Sequence, residues 1–370
     1  MSTASPVLAD LDPRRDLVVV IMAGGAGTRF WPASTESTPK QFLRFFGERS
    51  LLQQSYDRVV SLVGEERIFV LTNERFVPLV TAQLPSLPRE NVIGEPARRD
   101  TAAAVALAAL LAARRFRDPI IATLTSDHLI EPAGALQAAL VSAARGARAS
   151  GALYTFGIAP DHPATGYGYL EVGEPLVDDD GVAHLSLERI VEKPELARAT
   201  AFVAGGRHLW NSGMFVWSAS AILGELERQL PKHLALLRPA VEADGTVGFA
   251  GKLAAAFEPL DRVSIDYGVM ENAELVRCCR GQFAWSDVGG FPALAEHLSH
   301  DERSNAHRGS LCALEAERNL VFCEDEGEQV ALLGVSDLLV VRAGKRTLVM
   351  PRARAEEIKR LIPLLPESER

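Results

Sequence analysis

The sequence has few cysteines, and their spacing matches no common metal site or disulfide framework. The four are Cys278, Cys279, Cys312 and Cys323, and no two of them form a CxxC pair. Structural zinc sites and small disulfide-bonded domains both use regular, paired spacings. We therefore predict reduced, mostly buried thiols, as is usual for a cytoplasmic protein.

An excess of positive charge is also missing. The chain has 48 acidic and 39 basic side chains, which gives a formal net charge of -9. Surfaces that bind nucleic acids are strongly basic, so the composition argues against a nucleic-acid partner. Any phosphate site must then be a local basic pocket in an acidic protein.

Long apolar segments are absent as well. The longest, Ala102 to Ala113, is alanine-rich and ends in two arginines, whereas a membrane-spanning helix needs about 20 apolar residues. We predict a buried helix there and no membrane partner. Residues 1–16 have neither the basic nor the apolar region of a signal peptide, and we expect a short disordered tail.

What the chain does have is a glycine cluster directly after a β-branched run. Leu17 to Ile21 is typical of a buried strand, and Met22 to Pro32 contains three glycines. Glycines leave backbone N–H groups accessible to a phosphate chain. The loop lacks the Gly-Lys-Ser/Thr ending of a P-loop, and Phe30 stands where a dinucleotide fingerprint needs its third glycine. Its cations, Arg29 and the nearby Lys40, suit the phosphates of a nucleoside triphosphate; a plain strand-turn-helix connection is the alternative.

Strands and helices alternate through the first half of the chain. Strand-like segments are Leu17 to Ile21, Ile68 to Thr72, Ile120 to Leu124 and Leu153 to Gly157, and helical ones are Leu51 to Leu62, Asn73 to Leu84, Thr101 to Phe116 and Ala133 to Ser150. This rhythm predicts an α/β, Rossmann-like, mainly parallel sheet with helices on both faces. Ligands of such sheets bind at the carboxyl ends of the strands. The glycine loop and the turn Thr125 to His128 should therefore share one edge.

The pattern changes towards the end of the chain. Short strands, including Leu338 to Arg342 and Thr347 to Met350, precede a charged helix from Arg354 to Leu361. We predict a catalytic domain over residues 17–304 and a small β-rich domain over residues 305–370.

The motifs resemble those of one enzyme family. They are Ala23 to Pro32, Pro39 to Phe42, Gly94-Glu95-Pro96, Ser126-Asp127-His128, Thr165 to Tyr169, Val191 to Pro194, Trp210 to Phe215, Ser264 to Glu271 and Trp285 to Gly289. In this order they are similar to the sugar-nucleotide pyrophosphorylases, and Trp31 with Lys40-Gln41-Phe42 points to the mannose-1-phosphate guanylyltransferase branch. The resemblance covers about residues 17 to 365 and implies a β-helix-like C-terminal domain.

The implied reaction joins GTP to α-D-mannose 1-phosphate and releases pyrophosphate. The attacking phosphate oxygen is already ionised near neutral pH, so the catalyst must neutralise charge rather than supply a base. Mg²⁺ does this with one or two carboxylates, and Asp127 and Asp287 are the natural pair. A different sugar phosphate or base is one alternative, and a non-catalytic sugar-nucleotide sensor is another. A homodimer is compatible with either interpretation.

The resemblance also assigns the other site residues. Arg29 and Lys40 neutralise the triphosphate, and Lys193 holds the sugar phosphate. The nucleotide contacts Ala23, Gly24, Gly25, Gly27, Thr28, Glu95 and Pro96. The sugar contacts Gly168, Glu192 and Asn211. Glu95 is the candidate reader of guanine, because a carboxylate can accept both donors of the Watson–Crick edge. Trp210, Phe215 and Trp217 are better explained as core residues.

Overall fold

The computed structural model describes residues 11–25, 27–176 and 180–366. The strands are β1 Leu17–Ala23, β2 Ile68–Asn73, β3 Val92–Glu95, β4 Ile120–Thr125, β5 Leu129–Glu131, β6 Leu153–Ile158, β7 Tyr169–Leu176, β8 His184–Val191, β9 His208–Ser218, β10 Val276–Arg280, β11 Ala284–Ser286, β12 Ser299–His300, β13 Ala306–Arg308, β14 Ser310–Leu314, β15 Leu320–Cys323, β16 Gln329–Leu333, β17 Leu338–Ala343 and β18 Arg346–Pro351.

The α-helices are α1 Pro13–Asp16, α2 Leu51–Val63, α3 Val77–Gln83, α4 Asp100–Arg115, α5 Ala133–Ser150, α6 Leu196–Gly205, α7 Ala219–Gln229, α8 Pro231–Val241, α9 Phe249–Phe257, α10 Ile265–Gly268, α11 Phe291–Ala295 and α12 Ile358–Leu361. The chain divides into two compact units. The sheet unit comprises the described part of residues 1–24 with 55–126 and 130–285, and the β-helix unit comprises 25–54, 127–129 and 286–366.

A nine-stranded sheet organises the sheet unit, in the order β3-β2-β1-β4-β9-β6-β10-β8-β7. The strands predicted at Leu17, Ile68, Ile120 and Leu153 are all present, so the α/β class is confirmed. β3, β2, β1 and β4 run parallel to one another, as the βαβ rhythm predicts. β9 and the β7–β8 pair add antiparallel strands that the rhythm did not reveal, which makes the whole sheet mixed.

Successive side chains of β1 point to opposite faces of the sheet, and each face has its own hydrophobic core. Val18 and Val20 pack with α4 and helices α7 to α9 on one face. On the other face Tyr154 of β6 packs against α5, where a Cβ on Gly146 would lie only 2.7 Å from Tyr154 Cζ. Helix α4 is buried from Ala102 to Ala112, which confirms the prediction for this alanine-rich segment. Within the described chain no helix is both long and apolar enough to cross a bilayer.

The prediction of a disordered tail over residues 1–16 is wrong for its last part; residues 1–10 lie outside the described residues. Pro13–Asp16 forms a helix whose first turn is capped by the side chain of Asp12. Asp16 pairs with Arg148 at 2.9 Å, and Leu11 is buried. An apolar anchor and a capped turn therefore order the chain before the first strand.

The C-terminal strands wind as a short β-helix, which confirms the predicted β-rich region. β13, β15 and β17 stack in parallel, with Ala306, Leu320 and Leu339 in register. β14 and β16 form a second parallel pair. The predicted strands near Leu338 and Thr347 are present, while the charged helix divides into a 3-10 segment, Arg352–Glu357, and α12.

Residues 25–54 pack with this β-helix, which the sequence did not indicate. Phe30 and Phe45 have ring centroids 4.6 Å apart, and Phe45 lies 5.7 Å from Phe322 of β15. Phe291 contacts both Phe30 and Phe322. The glycine loop thus shares one hydrophobic core with the C-terminal strands, and the boundary predicted at residue 304 stays a prediction.

Candidate active site

The carboxyl ends of β1 to β4 meet at one edge of the sheet. Ala23, Thr72 and Gly94 stand side by side in the ladder, and Met22 pairs with Thr125. The hydroxyl of Thr72 donates to the Ala23 carbonyl at 2.9 Å, and Ser126 N donates to Met22 O at 3.1 Å. The glycine loop and the turn Thr125 to His128, which we predicted to share one edge, both begin at this edge.

Glu95 ends β3 beside the glycine loop. A Cβ built on Gly24 would lie 3.8 Å from Glu95 Oε2, so only a small residue leaves this approach open. Gly94 is needed for packing, since a Cβ there would lie 3.0 Å from Val77. Pro96 follows, partly buried. Burial raises the pKa of Glu95 to about 8, and no side chain in the described chain forms a hydrogen bond with its carboxyl group.

The predicted sugar-binding residues come together elsewhere in the sheet unit. Gly168 precedes β7, Glu192 follows β8, and Asn211 lies on β9. A Cβ on Gly168 would overlap Glu192 Oε1 and lie 3.4 Å from Asn211 Cβ. Asn211 N donates to the Gly168 carbonyl at 2.8 Å. This glycine therefore brings the carboxylate and the amide close together.

The amide of Asn211 is largely occupied by the protein itself. Its Oδ1 accepts from Thr155 Oγ1 and Gly213 N, both at 3.2 Å. Its Nδ2 donates to Asp266 Oδ1 at 3.0 Å. Asp266 lies in the motif Ser264 to Glu271, in the first turn of α10, where a carboxylate is an ordinary feature. Only the contact with Asn211 singles it out.

The carboxyl groups around Asn211 have raised pKa values, which is unusual for carboxyl groups at a protein surface. The pKa of Glu192 is raised by burial and by Asp266, and the pKa of Asp266 is raised by burial against the opposing hydrogen bond from Asn211. Glu271, nearby, has its pKa raised by burial and by Asp266. Lys193 is the adjacent cation, and its φ of 42° is unusual for a non-glycine residue. The carboxyl groups and the Asn211 amide suit the hydroxyls of a ligand, and Lys193 suits an anionic end.

Trp210, Phe215 and Trp217 are buried, as the core interpretation predicts.

In the β-helix unit, the glycine loop folds against Lys40. Gly27 has a φ of 60°, and a Cβ there would lie 2.5 Å from Lys40 Cβ and 2.7 Å from Lys40 N. Glycine is the one residue type that satisfies both the backbone angle and the space. Thr28 follows as the first residue of a 3-10 turn that ends in Phe30. The loop is thereby fixed around the lysine.

Lys40 is buried and its ammonium group has three acceptors. Nζ lies 3.0 Å from Asp127 Oδ2 and donates to the carbonyls of Asp287 at 2.8 Å and Val288 at 3.0 Å. The structure therefore brings the carboxylate of Asp127 and the main chain of Asp287 next to one lysine. All three ammonium protons are used within the protein, so Lys40 orients these groups in addition to contributing charge.

The residues present fit a divalent cation. Burial alone would raise the pKa of Asp127, but Lys40 and His128 oppose it and the net pKa is lowered, which keeps the carboxylate ionised. A Cβ on Gly25 would lie 3.9 Å from Asp127 Oδ2, so the loop backbone approaches the same group. Across the described residues no cluster of three or more His, Cys, Asp or Glu could hold a metal. Two carboxylates, with phosphate oxygens and water completing the shell, are what Mg²⁺ typically uses.

Arg29 has different partners from Lys40. Its Nη1 donates to Gly289 O at 3.2 Å, and its Nε lies 3.2 Å from Glu356 Oε2. Its side chain is 40% exposed, unlike the buried Lys40. The two predicted triphosphate cations therefore differ. Lys40 is buried and bonded within the protein, whereas the side chain of Arg29 is partly exposed to solvent.

Comparison with known proteins identifies the class. The nucleotidyl transferase family model matches residues 18–304, and a MannoseP isomerase/GMP-like beta-helix domain model matches residues 309–365. The chain belongs to the nucleotidyl transferase family.

Its relatives narrow the comparison. The chain is 39% identical to a mannose-1-phosphate guanylyltransferase from Klebsiella pneumoniae, over 96% of this chain and 75% of that one. The corresponding protein of Escherichia coli K12 is 37% identical over 94% of this chain and 73% of its own length. Among solved structures, a mannose-1-phosphate geranyltransferase from Thermus thermophilus superposes with a TM-score of 0.83 at 31% identity, covering 94% of this chain and 99% of that one.

Proposed function

We propose that this protein transfers GMP from GTP to α-D-mannose 1-phosphate, giving GDP-mannose and pyrophosphate. The observation that carries this proposal is the similarity to mannose-1-phosphate guanylyltransferases over 96% of the chain. The candidate residues support it, because the chain has a carboxyl group for guanine, a polar cluster for a sugar phosphate, and a lysine that contacts the carboxylate of Asp127 and the main chain of Asp287.

The reaction is a displacement at the α-phosphorus of GTP. An oxygen of the sugar phosphate forms the new P–O bond, and the bond from the α-phosphorus to the bridging oxygen breaks as pyrophosphate leaves. No proton has to be removed from the attacking oxygen near neutral pH. The protein's task is to hold two polyanions together and to neutralise the charge that accumulates on the leaving group.

Each group of residues has a role in this scheme. Ala23, Gly24, Gly25, Gly27 and Thr28 present loop backbone to the phosphates, and Glu95 with Pro96 contacts the base. Gly168, Glu192 and Asn211 bind the sugar, and Lys193 binds its phosphate. Arg29 meets the triphosphate. Lys40 fixes Asp127 and the backbone at Asp287, as its three contacts indicate.

We propose Mg²⁺ as the divalent ion, held by Asp127 and Asp287. When bound, it would supply charge neutralisation at the phosphates. Dialysis against EDTA should abolish pyrophosphate release, and added MgCl₂ should restore it. Full activity in EDTA would contradict the proposal.

The decisive experiment is pyrophosphate release across a matrix of GTP, ATP, UTP and CTP with mannose, glucose and fructose phosphates, with GDP-mannose confirmed by mass spectrometry. GTP with mannose 1-phosphate should exceed every other pair. A different preferred pair would identify another sugar nucleotide, and no turnover with specific ligand binding would favour a sensor.

A second activity has one supporting observation. A solved mannose-6-phosphate isomerase from Helicobacter pylori matches 73% of this chain at 28% identity and a TM-score of 0.59. Interconversion of mannose 6-phosphate and fructose 6-phosphate should be assayed on the same preparation. We expect none, because the guanylyltransferase relatives are more similar, at 37–39% identity over 94–96% of the chain.

A further inference from the structure

The arginine of the glycine loop is held by the C-terminal segment of the chain. Its Nε lies 3.2 Å from Glu356 Oε2, while its Nη1 donates to the Gly289 carbonyl. Gly290 lies beside both groups, since a Cβ there would be 3.7 Å from Glu356 Oε1 and 4.0 Å from Arg29 Cβ. The guanidinium is therefore held by a hydrogen bond to Gly289 and by an ion pair with Glu356, from different parts of the β-helix unit.

Glu356 is placed by its buried neighbours. Ala355 precedes it and Ile358 follows two residues later, and both belong to the hydrophobic core that contains Phe30. Phe30 is the next residue after Arg29. The arginine and the glutamate thus extend from the same packed core, and the distance between them is set by packing rather than by chance contact of two surface side chains.

The geometry of arginine explains what this contact can do. A guanidinium has five N–H donors in a rigid plane, and it binds phosphate best through two donors on one edge. The Glu356 carboxylate lies 3.2 Å from Nε as an ion-pair partner without forming a hydrogen bond, and the carbonyl of Gly289 accepts a hydrogen bond from Nη1. No further acceptor for Arg29 is found in the part of the chain that the structure describes, so its remaining donors are left for a ligand.

We propose that Glu356 is a positioning residue for Arg29, which orients the guanidinium towards the triphosphate of the nucleotide substrate. This inference rests on the proposed role of Arg29 in triphosphate binding. Without Glu356 the arginine still carries its charge, but its side chain must be ordered when the nucleotide binds, at a cost in affinity. The effect should therefore fall on GTP rather than on the sugar phosphate.

The test compares Glu356→Gln with Glu357→Gln. Glu357 lies in the same 3-10 segment but pairs with Arg354 and Arg360 instead of Arg29. Initial rates of pyrophosphate release should be measured with GTP varied at saturating mannose 1-phosphate, and in the reverse arrangement. We expect Glu356→Gln to lower kcat/KM for GTP about three- to tenfold, as for an ordered side chain, with KM for mannose 1-phosphate unchanged and Glu357→Gln within about twofold of wild type.

A double mutant separates positioning from a structural effect. In an Arg29→Ala background, Glu356→Gln should cause almost no further loss, because the group that it orients is gone. Thermal unfolding of each variant checks the fold, and the 67% exposed side chain of Glu356 makes misfolding a minor concern. Equal behaviour of Glu356→Gln and Glu357→Gln, additive losses in the double mutant, or a faster Glu356→Gln enzyme would each overturn the inference.

Calorimetric titration with GTP distinguishes this inference from the proposed function. A wild-type protein that binds GTP but makes no GDP-mannose defeats the function, and the Glu356 comparison is then made on the GTP dissociation constant. A wild type that makes GDP-mannose, with Glu356→Gln unchanged in both kinetics and GTP affinity, defeats the positioning role alone.

Discussion

The buried carboxyl group of Glu95 illustrates how a residue proposed to bind substrate can be unfavourable for the free protein. Glu95 has a pKa raised to about 8 by burial, so its ionised form is costly in the free protein. A carboxylate that must accept two donors from guanine gains most when those donors replace the lost water. In the proposed role, the buried carboxyl group of Glu95 lowers the stability of the folded protein and increases the selectivity for guanine over other bases.

Glu95→Gln should reduce selectivity for GTP more than it slows turnover at saturating GTP. Hydrogen bonds to charged groups contribute about 1.5–3 kcal/mol, which predicts a loss of about 10- to 100-fold in kcat/KM. ITP lacks the exocyclic amino group and should lose less than GTP. The measurement is kcat/KM for GTP, ITP, ATP and UTP in both proteins; unchanged ratios would mean that other groups read the base.

The pH dependence follows from the same group. Since the carboxylate accepts the guanine donors, kcat/KM for GTP in wild type should increase as pH rises through about 8, and this increase should be absent in Glu95→Gln. A raised pKa in the folded state means that stability from this group is present below the ordinary value of 4.5 and is lost as pH rises through about 8. The melting temperature should decrease less between pH 5 and pH 9 for Glu95→Gln than for wild type.

Gly168 gives a second test at this scale. Gly168→Ala would place a methyl group against Glu192, with the Glu192 Cδ atom 3.1 Å away, so the carboxylate must move. KM for mannose 1-phosphate should increase about tenfold, equivalent to about 1.4 kcal/mol, while KM for GTP stays the same. Gly166→Ala is the matched control, because a Cβ there meets nothing within 4 Å. Equal kinetics for the two variants would remove Gly168 from the sugar site.

At the scale of elements, the β-helix depends on buried asparagines as well as on apolar strands. Asn305 and Asn319 are both fully buried. Asn305 Oδ1 accepts from the backbone and side-chain nitrogens of Asn319, at 2.9 Å each. Asn319 in turn accepts from Leu338 N and donates to Val335 O. These side chains satisfy the backbone at the turns between successive coils.

Asn319→Ala should therefore destabilise the β-helix unit. The change leaves Leu338 N without its acceptor, at about 1–3 kcal/mol, and removes the hydrogen bonds that the Asn319 amide donates to Val335 O and Asn305 Oδ1, at about 1 kcal/mol each; Val335 O keeps the hydrogen bond from Glu317 N. We expect a loss of about 2–5 kcal/mol in the free energy of unfolding, measured with urea. Gln329→Ala, an exposed position on β16, should cost less than about 0.5 kcal/mol. A small effect of Asn319→Ala would show that water or a shifted loop replaces these hydrogen bonds.

At the scale of the whole molecule, the glycine loop and the C-terminal strands are one folding unit. Phe30, next to the proposed triphosphate arginine, packs in the same core as Phe322 of β15. Disturbing the β-helix should therefore alter the loop that carries Arg29 and Lys40. The C-terminal region is part of the catalytic apparatus in this interpretation, although no residue after 289 is assigned to substrate.

Phe322→Ala tests that link. Removing a buried phenylalanine lowers the free energy of unfolding by about 3–5 kcal/mol. We also expect kcat to fall severalfold at temperatures where the variant remains folded. Leu333→Ala, on β16 with 69% of its surface exposed, is the control and should change neither quantity. Lower stability with wild-type kcat, measured well below the unfolding midpoint, would show that the loop is independent of the β-helix core.

The local pattern of the sequence was sufficient for part of the sheet and for a candidate phosphate loop. β-branched runs and helical segments predicted β1, β2, β4 and β6, because strand and helix periodicities are local properties. Glycines after a strand, with Arg29 and Lys40 nearby, indicated a phosphate loop. β3, β7 and β9 were missed because their sequences carry glycines and polar site residues rather than plain alternation.

Tertiary structure alone decided how those residues are used. Lys40 finds two of its acceptors in the backbone 247 and 248 residues away, and a carbonyl acceptor has no signature in residue type. Asp266 and Glu356 look like ordinary surface carboxylates in the sequence, and only packing brings them to Asn211 and Arg29. Contacts at such separations depend on how whole elements pack, so the sequence determined which chemical groups are available and the fold determined which of them meet.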